Sequence, residues 1–189
     1  MPPKAKFTKD EIIEAALNIV RTNGFKALTA RSLGARLGSS PRPVFTIFKG
    51  MEDIQQEVLS AANVMYHNYL QEDMADGKYP AYKASGMAYI RFAKEEAELF
   101  KLLFMRDRSN EKIEENREEI RPLIELIMEN TGLSEDDAYL LHIEMWIYVH
   151  GIATMTATSY LDFDMEFTGR IITDVYEGLK YRFISKEEK

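Results

Sequence analysis

The chain contains no cysteine and a single tryptophan. The first absence removes disulfides, thiolate metal sites and thiol nucleophiles together, and makes a reducing cytoplasm the expected compartment. No run approaches the ~18 to 20 consecutive apolar residues that span a bilayer. The opening MPPKAKFTKDE is basic without the apolar stretch of a signal peptide, so no membrane association is expected. Strand-type alternation persists nowhere and no glycine-rich loop precedes a helix, which makes the expected fold all-α. His142 and His150 are eight residues apart with no third ligand and no His-Glu-x-x-His pattern, so neither metal nor cofactor is expected. A nucleophile elbow, a phosphate loop and an apposed acid pair are also missing, and an enzyme is not expected.

What is present is helix-forming and unevenly charged. The 189 residues, 46% hydrophobic, suffice for a buried core. Residues 1–50 carry nine Lys and Arg against three acids, a balance of +6, while the remaining 15 basic and 28 acidic residues give −13. A basic segment gains affinity for nucleic acid by displacing counterions from phosphates, and an acidic one is repelled. The expectation is a DNA-facing head over 1–50 and a helical body over 51–189.

The head is organised around Thr29 to Lys49, TARSLGARLGSSPRPVFTIFK. Leu33 and Leu37 form an i, i+4 apolar pair, and Gly38 follows where a helix end favours positive φ. Ser39 and Ser40 offer caps for a second helix, with Pro41 and Pro43 in its first turn and Val44, Ile47 and Phe48 as its apolar stripe. Arg42, Thr46 and Lys49 face outward. Two short helices joined by a glycine turn, with a basic outer face, are the pattern of a helix-turn-helix. Before it, the capping box Thr8 to Glu11 starts a helix carrying Ile12, Ala16, Ile19 and Val20, closed by Asn23 and Gly24.

Beyond Gly50 a helix is expected from Met51 to about Met74. Another follows from Pro80, interrupted near Lys94 to Glu98, and its pattern ends at the polar Arg106 to Asn110. Glu111 to Arg121 is mostly charge and reads as a solvated helix or a mobile connector. Pro122 kinks or restarts a helix that Gly132 ends. Ser134 caps the most apolar helix, running to about Tyr160, and a last one carries Phe167 to Phe183 before a fraying tail.

These residues resemble the TetR family of bacterial transcriptional regulators. In the head the likeness runs through Ile12, Ala15, Leu17, Gly24, Phe25, Leu28, Thr29, Leu33, Ala35, Leu37, Gly38, Ser40, Phe48, Glu52 and Ile54. In the body, Trp146, His150 and Gly151 resemble the W-x-x-x-H-G signature of one C-terminal subgroup. The resemblance implies a homodimer paired through about 134–183, a near-palindromic double-stranded DNA operator, and a body that senses a small-molecule effector. It further implies a repressor released from its operator when the effector shifts the population between two states. The chain departs from the family at Phe45, where a phosphate-binding tyrosine is usual, at Ile47 for a histidine, at Met51 for a lysine, and at Arg42 and Pro43 for a Gly-Thr pair. Phe45 and Met51, which remove phosphate contacts, also admit a TetR-like protein that has lost DNA binding and acts through a protein partner.

The candidate DNA-binding residues are Thr29, Arg31, Ser40, Arg42, Thr46 and Lys49. Thr29 either caps its helix alone or also meets a phosphate. Ser40, Arg42 and Thr46 face bases or phosphates, with Arg42 suited to guanine O6 and N7. Arg31 and Lys49 contact the backbone or are simply solvated. The aromatic residues of the body are core first of all. Tyr66, Phe92, Phe104, Trp146 and His150 are the candidate ligand-binding set, Trp146 and His150 sharing a face at i, i+4.

Overall fold

The computed structural model describes residues 6–107, 109 and 117–187. Among the described residues all regular structure is helical: α1 (Lys9–Asn23), α2 (Ala30–Arg36), α3 (Met51–Asp76), α4 (Ala81–Glu95), α5 (Ala97–Phe104), α6 (Arg117–Thr131), α7 (Glu135–Ala157) and α8 (Met165–Glu187), with single 3₁₀ turns at Phe25–Ala27 and Val44–Thr46. The all-α expectation holds, and no described helix is long and apolar enough to cross a membrane.

The chain forms two compact units, the first drawn from Met1–His67 with Glu96–Arg106, the second from Asn68–Glu95 with Asp107–Lys189. In the first, α1 packs against α2 and α5. Its core takes Ile12, Ala16, Val20, Leu33, Val44, Ile54, Val58, Leu99 and Phe100, all fully or almost fully buried. The Thr8 capping box forms as expected, its hydroxyl accepting from the Glu11 amide while the Glu11 carboxylate accepts from the Thr8 amide. Tyr66 meets Phe104 edge to face, ring centres 5.2 Å apart.

In the second unit α4 packs against α6, α7 and α8, and α7 against both α6 and α8. Met87, Phe92, Ile127, Leu141, Met145 and Ile172 fill its core. Ser134 caps α7 by accepting from the Asp137 amide, and acids fill that helix's first turn against the macrodipole. The expected interruption of the Pro80–Phe104 pattern occurs at Glu96, whose φ of −125° and ψ of 48° end α4 and start α5. α6 begins before Pro122 and carries it inside. Most of the charged stretch expected as a solvated helix or connector, at 111–116, lies outside the described residues. α7 ends at Ala157, short of the expected Tyr160, because Ser159 takes φ +56° and the Tyr160 and Leu161 amides both turn back onto the Met155 carbonyl.

Candidate nucleic-acid interface

The head keeps the chain path of a helix-turn-helix but shortens its second helix. Thr29 caps α2 in a reciprocal box with Ser32: the Thr29 hydroxyl accepts from the Ser32 amide at 3.1 Å, and Ser32 Oγ accepts from the Thr29 amide at 3.0 Å. α2 closes in a Schellman turn, with Gly38 at φ +62°, its amide on the Ala35 carbonyl and the Ser39 amide on the Gly34 carbonyl at 2.8 Å. The expected glycine turn is therefore present at Gly38.

The helix expected from Pro41 to Lys49 is a run of tight turns around the 3₁₀ segment Val44–Thr46, with Val44, Thr46 and Ile47 amides donating to Pro41, Pro43 and Val44 carbonyls. Proline chemistry explains the difference. Neither Pro41 nor Pro43 has an N–H, and each biases the residue before it, Ser40 and Arg42, away from the α region. Only the Phe48 amide makes an i→i−4 bond, to Val44.

The turns nevertheless sort their side chains by face. Val44 and Phe48 are buried, whereas Arg42, Phe45, Thr46 and Lys49 are exposed at i, i+3, i+4 and i+7, forming one outward stripe. Thr29, Arg31 and Ser40 are exposed as well, so all six candidate DNA-binding residues reach solvent. The Thr46 hydroxyl already donates to the Pro43 carbonyl at 2.7 Å, which leaves it only acceptor capacity toward a base. The Asp53 carboxylate accepts from the Lys49 amide at 2.9 Å and fixes the start of α3 without engaging the Lys49 ammonium. Lys6 donates to Ser39 Oγ at 3.1 Å, adding a cation beside the turn. No acidic residue occurs from 15 to 51, a stretch that holds six Lys and Arg.

The ligand-binding candidates fall into different surroundings. Tyr66 and Phe104 pair in the first unit, where burial pushes the Tyr66 hydroxyl well above its ordinary pKa. Phe92, Trp146 and His150 belong to the second. Phe92 is fully buried with its ring against Tyr69, while Trp146 is 47% exposed and stacks on His150 at 5.2 Å. His150 Nδ1 lies 2.8 Å from the Tyr89 hydroxyl, and the Tyr82 hydroxyl makes the same kind of contact with His142 at 3.1 Å. Burial lowers the pKa of both imidazoles. A small cleft of about 120 Å³ is lined by Arg121, Ile124, Glu135, Asp136 and Tyr139 among others, and none of the five candidates contributes to it. No group of three metal-ligating side chains occurs among the described residues.

Residues 82–175 match the family described as tetracyclin repressor-like, C-terminal domain. The chain belongs to the TetR family. A TetR-like transcriptional regulator from Rhodococcus sp. RHA1 superposes with a TM-score of 0.64 at 13% identity, over 98% of this chain and 99% of that one. A proposed transcriptional regulator from Pseudomonas aeruginosa PAO1 gives 0.70 at 17% identity, over 94% and 96%. A TetR-family member from Streptomyces coelicolor A3 gives 0.58 at 16% identity, over 88% and 96%. At such identities these are likenesses of fold, and they extend across both units. No curated protein matches the chain significantly.

Within this TetR-family chain, sequence reasoning passed over two residues of the head. Gly34 sits inside α2 where a Cβ would lie 2.9 Å from the Pro41 nitrogen and 3.0 Å from the Ser39 oxygen, so only glycine lets the two halves of the motif approach this closely. A second glycine four residues before the turn glycine was the available signal. Phe45, besides lacking a hydroxyl, is 39% exposed in the middle of the outward stripe.

Proposed function

We propose that this protein is a homodimeric, sequence-specific DNA-binding regulator, a repressor that a small-molecule effector releases from a near-palindromic operator. The observation that carries the reading is the exposed stripe Arg42, Phe45, Thr46 and Lys49 on an acid-free basic segment. Thr29, Arg31 and Lys49 serve the phosphates, while Ser40, Arg42 and Thr46 meet base edges. A division of labour over 1–50 and 51–189 follows, with the head binding DNA and the body binding effector and partner.

Dimerisation through about 134–183 is supported by large apolar side chains left open on α7 and α8: Leu140 and Ile147 on one face of α7, and Tyr181 on α8, each at least 44% exposed. A two-fold pair of heads suits half-sites about one DNA turn apart, ~34 to 36 Å or somewhat more. The effector site is assigned to the second unit around Trp146 and His150, where an open indole and a polar ring share one face. Phe92 belongs to the core of the same unit, whereas Tyr66 and Phe104 pair in the first unit. Cytoplasmic action accompanies the role.

The test is selection of bound sequences from random DNA, then titration of the selected site and of the DNA flanking the protein's own gene at two salt concentrations with random competitor. Competitor-resistant binding to a short palindrome is expected. Binding no tighter than to random DNA, with no selected site, would overturn the reading and favour a TetR-like protein acting through a protein partner.

A further inference from the structure

The outward stripe of the head contains one residue that phosphate and hydrogen-bond chemistry leaves unused. Phe45 is 39% exposed, at the centre of the 3₁₀ turn Val44–Thr46, with Arg42 three residues before it and Thr46 and Lys49 one and four after. The apolar neighbours Val44 and Phe48 turn inward and are 1% and 6% exposed, so the ring is not a displaced piece of core. Its own segment is basic, with six Lys and Arg and no acid from 15 to 51, and the Asp53 carboxylate just beyond it is engaged by the Lys49 amide, which fits a polyanion far better than an apolar protein surface. A phenyl ring offers a phosphate no donor. On the major-groove edges of the base pairs the one apolar projection is the C5-methyl of thymine.

We propose that Phe45 reads thymine by packing its ring on that methyl group, making it a specificity-determining residue of the head. The inference rests on the DNA-binding reading above and adds the base to it. Arg42 and Phe45 are three residues apart, a rise of about 4.5 to 6 Å for helical turns, against ~3.4 Å per base pair. The thymine therefore falls one or two base pairs from the guanine assigned to Arg42. With the Thr46 proton committed to the Pro43 carbonyl, Thr46 keeps only its methyl for an apolar contact, and Phe45 presents the larger apolar surface on the stripe to the thymine methyl.

The test is a uracil scan of the selected operator, since replacing thymine by deoxyuridine removes one methyl and alters no hydrogen bond. Wild type is expected to lose about four-fold in affinity when the thymine of one half-site is replaced, and about fifteen-fold when the thymines of both half-sites are replaced. Phe45→Tyr keeps the ring and should show the same penalty. Phe45→Ala should bind the thymine and uracil operators equally, and its circular dichroism and melting temperature report that the head is folded. If Phe45→Ala fails to fold, wild type and Phe45→Tyr still decide through the scan. A flat scan on an operator that wild type binds selectively would overturn the thymine assignment while leaving DNA recognition intact. A penalty that persists in folded Phe45→Ala would assign the methyl to another residue. Failure to select any operator would overturn the DNA reading and this inference with it.

Discussion

Gly34 and Pro41 approach so closely that the glycine's missing Cβ would lie 2.9 Å from the proline nitrogen. Backbone, rather than a flexible side chain, occupies that space, so relief requires the two halves of the motif to separate. Gly34→Ala is expected to cost about 1 to 3 kcal/mol in stability through overpacking, measured by urea denaturation. Operator affinity should fall further than stability does, because the stripe is displaced even in molecules that fold. A fully stable Gly34→Ala protein with unchanged affinity would contradict the close approach.

Arg42 is the strongest candidate for hydrogen-bonded base recognition. Arg42→Ala should weaken operator binding by about 1 to 3 kcal/mol and relax the preference at one base pair in each half-site. Arg42→Lys should recover charge but not bidentate geometry, so non-specific affinity returns before selectivity does. Competition binding against single-base operator variants separates the two.

Glu96 is buried and accepts from Arg21 of α1, Nε to Oε2 at 2.7 Å with a second bond from Nη2 to Oε1. Glu96→Gln should lower stability by about 1 to 2 kcal/mol, less than a fully buried pair because Arg21 remains 41% exposed. Thermal unfolding of Glu96→Gln and of Arg21→Gln, with the double variant, gives the coupling directly. Additive effects would show that the pair contributes nothing beyond its separate parts.

His142 is held by burial below the ordinary imidazole pKa of about 6.5. As pH drops through that value the unfolded chain takes up a proton that the folded chain resists, so stability is complete above it and is lost as the solution acidifies. Comparing wild type with His142→Asn between pH 7.5 and 5.5 should show the smaller loss in the variant. His150, shifted the same way and stacked on the sole tryptophan, should report its own protonation as a change in Trp146 fluorescence with a midpoint below 6.5. A titration of that emission unaltered by His150→Phe would reject the assignment.

Ile147 is 60% exposed on α7, with Leu140 two turns earlier at 44%. Ile147→Glu should leave the protomer folded and shift sedimentation from dimer to monomer. Operator affinity should drop with it, since each head then binds a half-site alone.

Much of the fold is legible in the sequence because local chemistry and packing agree there. The Thr8 capping box, the Gly38 turn, the Ser134 cap and the break near Glu96 all occur where residue types alone place them. The second motif helix was harder. Apolar spacing at Val44, Ile47 and Phe48 suits a helix, while two prolines remove the donors that would propagate one, and the conflict resolved into 3₁₀ turns that preserve the faces. Phe45 shows the limit of reading by resemblance, since comparison with the usual tyrosine drew attention to a lost hydroxyl and away from the exposed ring. Gly34 was hidden because its role lies in the backbone of Ser39 to Pro41, which a one-dimensional pattern does not bring near. The aromatic set divided for a similar reason: composition marks Phe92 and Trp146 alike, and only burial separates a core ring from an open one.

The discontinuity of the first unit bears on how the protein comes into being. Leu99 and Phe100 are fully buried, and Leu102 almost so, in a core whose remaining members lie before residue 68. A fragment ending at 50 or 67 would leave that core open and should behave as a partly ordered chain rather than as a portable DNA-binding module. On the ribosome, likewise, the first unit cannot complete its folding until the segment to Arg106 has emerged, so it matures only after more than half of the chain has been made.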